Sequence, residues 1–233
     1  MKRCIVADLH SEGPEVLVAK MQGQVDGWAF LGDYDDPRIL RYILKAVKNR
    51  LIVIGNHDYM FARGDCPISR FTEGREDKLK KLWKEYEDER EFVLDCVDDL
   101  EGGVVGVRVM RQENSVNVAY VHAALGSTFT QSINDRFYCD DEQESARADN
   151  FTKMVENNVG LMFRGHDHLA AILSSNLGGK DIRKEEFISL IPFMFKTDRR
   201  YVVNVGAFVD ENCYAIHDSD ANSVVLGSCK VLV

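Results

Sequence analysis

The stretch "RLIVIGNHD", Arg50 to Asp58, runs from four apolar residues straight into Gly, Asn, His and Asp. An apolar run this short and this rich in β-branched residues predicts a buried strand rather than a helix, and its carboxyl end delivers a polar loop. Two earlier segments share the plan. "RCIVADLH" (Arg3 to His10) and "GWAFLGDYDD" (Gly27 to Asp36) each pass from an apolar stretch into acidic residues or histidine. Between them, "GPEVLVAKMQ" and "DPRILRYILKAVKNR" carry helical periodicity; in the second, Ile39, Ile43 and Val47 share a face and Pro37 stands where a first turn tolerates it. Strand, helix, strand, helix, strand implies a largely parallel sheet and an α/β class.

The later chain is read the same way. "EGREDKLKKLWKEYEDEREFVL" (Glu73 to Leu94) predicts one charged helix with Leu79, Leu82, Trp83 and Tyr86 as its packing stripe. "GVVGVRVMRQENSVNVAYVHA" predicts two strands around a polar turn, ending at His122. A helix ending near Asn157 leads into "LMFRGHDHL", Leu161 to Leu169, and the last 34 residues predict several strands, with "DSDANS" as a turn between the final two. There is no repeat, low-complexity tract or linker, so residues 1–233 are expected to form one domain, with 59–100 and 123–150 as inserts or lids.

A formal charge of −9 without a basic cluster disfavours a nucleic-acid polymer as partner. No apolar run approaches the roughly 20 residues of a membrane span, and the start lacks a signal-like apolar segment, so no membrane association and a cytoplasmic location are expected. The six cysteines lie far apart without a CxxC pair and are expected to be reduced. Oligomeric state is not legible.

Five of the six histidines stand at apolar-to-polar junctions: His10, His57, His122, His166 and His168. Asp8, Asp33 and Asn56 share those loops. In an open sheet the strand carboxyl ends point to one edge, so these residues converge. Imidazole, carboxylate and amide oxygen together suit manganese, iron or zinc better than calcium or magnesium. Even seven of these eight donors exceed the four of a tetrahedral centre, which suggests two ions, and a carboxylate between them can bridge. The sixth histidine, His217, has no motif around it and is expected at the surface.

The blocks "DLH", "GD", "GNHD", "VHA" and "GHDH", in this order from Asp8 to His168, resemble those of the calcineurin-like metallophosphoesterases. The resemblance implies a four-layer αββα sandwich of two facing mixed β-sheets flanked by helices. It implies that Asp8, His10 and His168 hold one metal, Asn56, His122 and His166 a second, and Asp33 bridges them, with manganese expected first and iron or zinc as alternatives. Here "GHDH" is expected to be an extended segment offering one imidazole to each ion, with Asp167 turned to solvent. The resemblance leaves His57 facing the substrate, where an imidazole titrating near neutrality can protonate an alkoxide leaving group. Asp36, placed as in the "GDxxD" box of the protein-phosphatase branch, either orients His57 or serves the start of its own helix.

The expected activity is hydrolysis of a small phosphomonoester or phosphodiester by a hydroxide shared between the two ions. Selectivity is assigned to the inserts, where Arg63, Arg70, Arg136, Phe137 and Tyr138 either meet the substrate or pack at the surface. Pro37 before Arg38, and Ile54 before "GNH", depart from the Ser/Thr protein phosphatases, so a phosphopeptide substrate is the alternative. "VNVGAF", around Asn204 and Gly206, resembles a segment that closes the sheet. A binding scaffold without catalysis is the alternative of another class.

Overall fold

The computed structural model describes residues 1–65, 75–98, 105–106, 108–123, 125, 144–166 and 168–228. The opening pattern folds as read: β1 (Lys2–Val6), α1 (Glu15–Met21), β2 (Gly27–Leu31), α2 (Pro37–Ala46) and β3 (Arg50–Val53). Then come α3 (Asn56–Arg63), α4 (Arg75–Glu85), α5 (Glu87–Asp98), β4 (Val105–Gly106), β5 (Arg108–Glu113), β6 (Val116–Val121) and α6 (Glu144–Glu156). The chain continues with β7 (Leu161–Arg164), β8 (Ala171–Asn176), β9 (Arg183–Glu185), β10 (Phe193–Met194), β11 (Arg199–Asn204), α7 (Phe208–Glu211), β12 (Cys213–Asp218) and β13 (Ser223–Ser228).

These strands form two mixed sheets. One has seven strands in the order β10-β13-β12-β1-β2-β3-β4, the other six in the order β5-β6-β7-β11-β8-β9. Strands β1 to β4 are mutually parallel, as are β6, β7 and β11, while the flanking pairings are antiparallel. Pleat alternation divides the side chains. From the first sheet, Cys4, Val6, Trp28, Phe30 and Ile52 point outward to meet α1 to α5 through Leu17, Leu40, Ile43, Phe61, Trp83 and Val93. Ile5, Ala29, Leu31, Leu51 and Val53 point inward, against Val118, Tyr120, Phe163, Tyr201 and Val203 of the second sheet. On that sheet's far side, Ala119, Val121, Met162 and Val202 pack on Phe151 and Met154 of α6. Helix, sheet, sheet, helix is the expected sandwich. Both faces of the central strands are buried, which is why they read as unbroken apolar runs rather than as alternating ones.

Two local expectations are corrected. The charged segment is two helices, α4 and α5, with Tyr86 between them. Tyr86 lies under the Arg41 guanidinium at 4.1 Å, and Arg41 grips Glu89 through Nε at 2.8 Å, so contacts with α2 bend the chain where a straight helix would leave the core. Three acids at the start of α5 favour a new helix N-terminus there. His217, expected at the surface, is only 3% exposed, with its ring centroid 5.0 Å from that of Phe163 and its Nδ1 3.2 Å from Glu113 Oε2.

Glu113 also anchors Arg3, and Arg3 donates to Tyr120 Oη at 2.7 Å, so a buried ionic cluster ties β1 of the first sheet to β5 and β6 of the second. Burial opposes the Glu113 charge, but His217 and Arg3 outweigh it and hold its pKa down to about 2. The carboxylate therefore stabilises the fold fully above the ordinary glutamate value of 4.5, and the contribution is lost as pH falls toward 2. Glu113→Gln should cost about 3 kcal/mol in urea unfolding at pH 7, with the gap from wild type closing progressively below pH 4.5.

Candidate metal centre

The carboxyl ends of the central strands deliver the predicted residues to one edge of the sandwich. Asp8 and His10 follow β1, Asp33 follows β2, Asn56 and His57 open α3 after β3, His122 follows β6, and His166 and His168 follow β7. Their ligand atoms fall into three overlapping groups: Asp8 with His10 and His168, Asp33 with His122 and His166, and His10 with Asp33 and His57.

The hydrogen bonds fix which atoms face inward. His122 Nδ1 donates to Leu31 O at 2.6 Å, which leaves the Nε2 lone pair pointing into the site. That nitrogen meets Asn56 Oδ1 at 3.0 Å, His166 Nδ1 at 3.1 Å and Asp33 Oδ2 at 3.4 Å. Four acceptor atoms converge there, and one proton can serve only one pair of them. A cation satisfies them all, so the donor set fits a transition metal. Across Asp33, His10 Nε2 lies 3.1 Å from His168 Nε2 and 3.8 Å from Asp33 Oδ2.

The loops are held in uncommon backbone conformations. Asp8, His10, Asp33, Asp35, His166 and His168 all have φ between +43° and +71°, the left-handed region that costs a non-glycine residue about 1 kcal/mol or more. Specific bonds hold them there. The Asp58 carboxylate accepts the amides of Asp33 (2.9 Å), Gly55 (2.9 Å), Tyr34 (2.7 Å) and Asp35 (3.3 Å), joining the loop after β2 to that after β3. Asp8 accepts the His166 amide at 2.8 Å, and Asp33 accepts the His57 amide at 3.0 Å. Glycines permit the close approach: a Cβ on Gly55 would sit 2.2 Å from Asp33 Oδ1, and one on Gly165 would sit 2.4 Å from Asp8 Oδ2.

"GHDH" departs from expectation in its path. His166 and His168 reach different groups, as expected, but both are left-handed rather than extended. Asp167 lies outside the described residues. Of the two roles left open for Asp36, its hydrogen bonds are those of the helix cap. Asp36 caps α2, accepting Arg38 N at 2.9 Å and the Arg38 guanidinium, whereas Asp35 accepts His57 Nδ1 at 2.9 Å and His10 Nδ1 at 3.1 Å. The two aspartates of "GDYDD" are the same residue type, and the signal that separates them is Pro37, which opens α2 beside Asp36. Sequence reasoning also passed over Asp58, although it stands inside "GNHD". Trp83 Nε1 adds a bond to Asp35 O at 2.6 Å, tying α4 to the site. Arg63 stacks on Tyr59, with Cζ 5.5 Å from the ring centroid, while Arg70, Arg136, Phe137 and Tyr138 lie outside the described residues.

Burial opposes charge throughout, but the carboxylates prevail over it on the rings. His122 is raised to about 10 by Asp33 and Asp8, and His10 to about 9 by Asp35 and Asp33. Asp33, despite burial, is held well below the usual carboxylate range by His122 and His57, while burial raises Asp8. A metal bound by these rings would need their neutral form, so its uptake would release protons.

The family model for the calcineurin-like phosphoesterase superfamily domain matches residues 1–222. The chain belongs to this superfamily. Among solved structures, a metallophosphoesterase from Sphaerobacter thermophilus shares the fold at 20% identity and a TM-score of 0.67, covering 98% of this chain and 87% of that one. A hypothetical protein of Pyrococcus horikoshii OT3 aligns at 12% identity and a TM-score of 0.60 over 97% and 87% of the two chains. Vps29 of Chaetomium thermophilum aligns at 10% identity and a TM-score of 0.50 over 97% and 85%. Comparison with curated proteins gave no match. In this calcineurin-like phosphoesterase, no helix of the described residues is long and apolar enough to cross a membrane.

Because Asn has a single acceptor oxygen, Asp58→Asn turns an N–H₂ toward two of the four amides. It should cost about 2–4 kcal/mol in chemical unfolding and lower the manganese retained through gel filtration, measured as metal per chain.

Proposed function

We propose that the protein is a metal-dependent hydrolase of small phosphoesters, monoester or diester, with two transition-metal ions, manganese before iron or zinc, as its cofactors. The convergence of Asp33, Asn56, His122 and His166 on one point carries the reading, since these acceptors need a shared cation. Asp8, His10 and His168 would hold one ion and Asn56, His122 and His166 the other, with Asp33 between them. When bound, such a pair neutralises the phosphoryl oxygens and lowers the pKa of a water held beside the phosphorus.

His57 does the chain's own proton work. Its Nδ1 donates to Asp35, and its Nε2 stands 3.9 Å from Asp33 Oδ2, on the side where the metals would sit. Burial opposes its charge, but Asp33 and Asp35 raise its pKa above the ordinary value, favouring an imidazolium with a proton to give at Nε2. Asp35 fixes the ring; it is a positioning residue, and Asp36 is left to its helix. Residues 1–233 act as one domain in this reading. The inserts at 59–100 and 123–150 set substrate choice, and the setting is cytoplasmic with neither membrane nor nucleic-acid polymer as partner. A phosphopeptide is the alternative substrate.

The test is turnover of p-nitrophenyl phosphate, bis(p-nitrophenyl) phosphate and an alkyl phosphate by the manganese-loaded protein. Asp33→Asn should abolish metal retention and activity together. Asp35→Asn should lower kcat on the alkyl ester roughly 10- to 100-fold, and far less on nitrophenyl esters, whose leaving group needs no proton; Asp36→Asn should leave kcat unchanged. Full activity of Asp35→Asn on the alkyl ester would remove the positioning role. Silence of the wild type toward these esters, nucleotides and phosphopeptides would favour the scaffold.

A further inference from the structure

At the opposite end of the sandwich, where β6, β7 and β11 begin, lies a cavity of about 530 Å³, within the range of small-molecule sites. The candidate metal ligands lie past the far ends of these same strands, roughly 15 Å away at 3.3 Å per residue. Aromatic side chains form part of its lining: Phe195 and Tyr201, with centroids 4.9 Å apart, and His217, 6.3 Å from Phe195. All three are at least nine-tenths buried.

Charge accounting around this cavity leaves cations over. Glu113 is committed to Arg3, Asp220 to the N-terminal amine, and Arg199 to Asp181 at 3.2 Å and to Ser174 Oγ at 2.9 Å. Arg200 and Lys196, which also line it, have no carboxylate partner among the described residues. Arg200 spends Nε on Leu177 O at 2.8 Å and Nη1 on Val159 O, both neutral, and its Nη2 makes no hydrogen bond among the described residues. A guanidinium held rigidly by two carbonyls, with donors to spare, is pre-organised for a carboxylate, sulfonate or phosphate. Lys196 is exposed and adds a second positive charge.

We infer that this cavity is a second ligand site, taking a small organic anion whose apolar body enters beside the exposed edges of Phe195, Tyr201 and His217 and whose anionic group meets Arg200 and Lys196. The site shares no residue with the metal centre, so it stands or falls independently of the phosphoesterase reading.

The test is isothermal titration calorimetry of the full chain with 1-naphthalenesulfonate, an aromatic anion whose sulfonate is a poor metal ligand. One site per chain is expected, with affinity unchanged in Asp33→Asn and reduced roughly tenfold, or about 1.4 kcal/mol, in Lys196→Glu and in Arg200→Gln. Neutral 1-naphthol should bind at least as weakly as those variants. Arg200→Gln also removes two carbonyl contacts, so Lys196→Glu, altered at an exposed side chain, keeps the result decisive if the former unfolds. No heat of binding at millimolar probe, affinity unaltered by Lys196→Glu, or binding lost in Asp33→Asn would each overturn the inference.

Discussion

The site depends on one buried carboxylate that is not itself a candidate metal ligand. Asp58 collects the amides of Asp33, Tyr34, Asp35 and Gly55. Those bonds hold two loops against each other and keep Asp33 and Asp35 in the left-handed region. Burial pushes the Asp58 carboxyl up to about 7, the charge of Asp33 pushes the same way, and the Gly55 amide pulls back. A carboxylate this costly to bury is justified only by what it positions. Without it, the amides of left-handed Asp33 and Asp35 would lose the acceptor that holds them.

Much of this was legible in the sequence. Runs such as "RLIVIGNHD" disclosed the strands because both faces are covered, and the five ordered blocks disclosed the inward-facing groups because a strand's carboxyl end has only one edge to reach. The order of polar residues within a loop was less legible. Asp35 and Asp36 are neighbours of the same type, and Pro37 next to Asp36 decides between them: it starts α2 and commits the residue before it to capping. Likewise the spacing in "GHDH" correctly separated two imidazoles, but spacing cannot distinguish an extended path from two left-handed turns. His217 offered no sequence signal, since its burial depends on Glu113 and Phe163, far away in the chain.

The two ends of the sandwich use charge differently. At the carboxyl end, acids and rings converge with more acceptors than protons can satisfy, and the backbone is strained to achieve it. At the amino end, Arg3, Glu113, Tyr120 and His217 form a cluster that joins the sheets, leaving Arg200 and Lys196 at the adjoining cavity. The parallel strands β6, β7 and β11 run between these ends.

The proposed place of Asp33 between two metal ions is tested most directly by the metal stoichiometry and electron paramagnetic resonance spectrum of the manganese-loaded protein. Two manganese ions per chain with an exchange-coupled spectrum are expected; a single ion per chain, or two with the spectrum of isolated ions, would rule out a bridging Asp33.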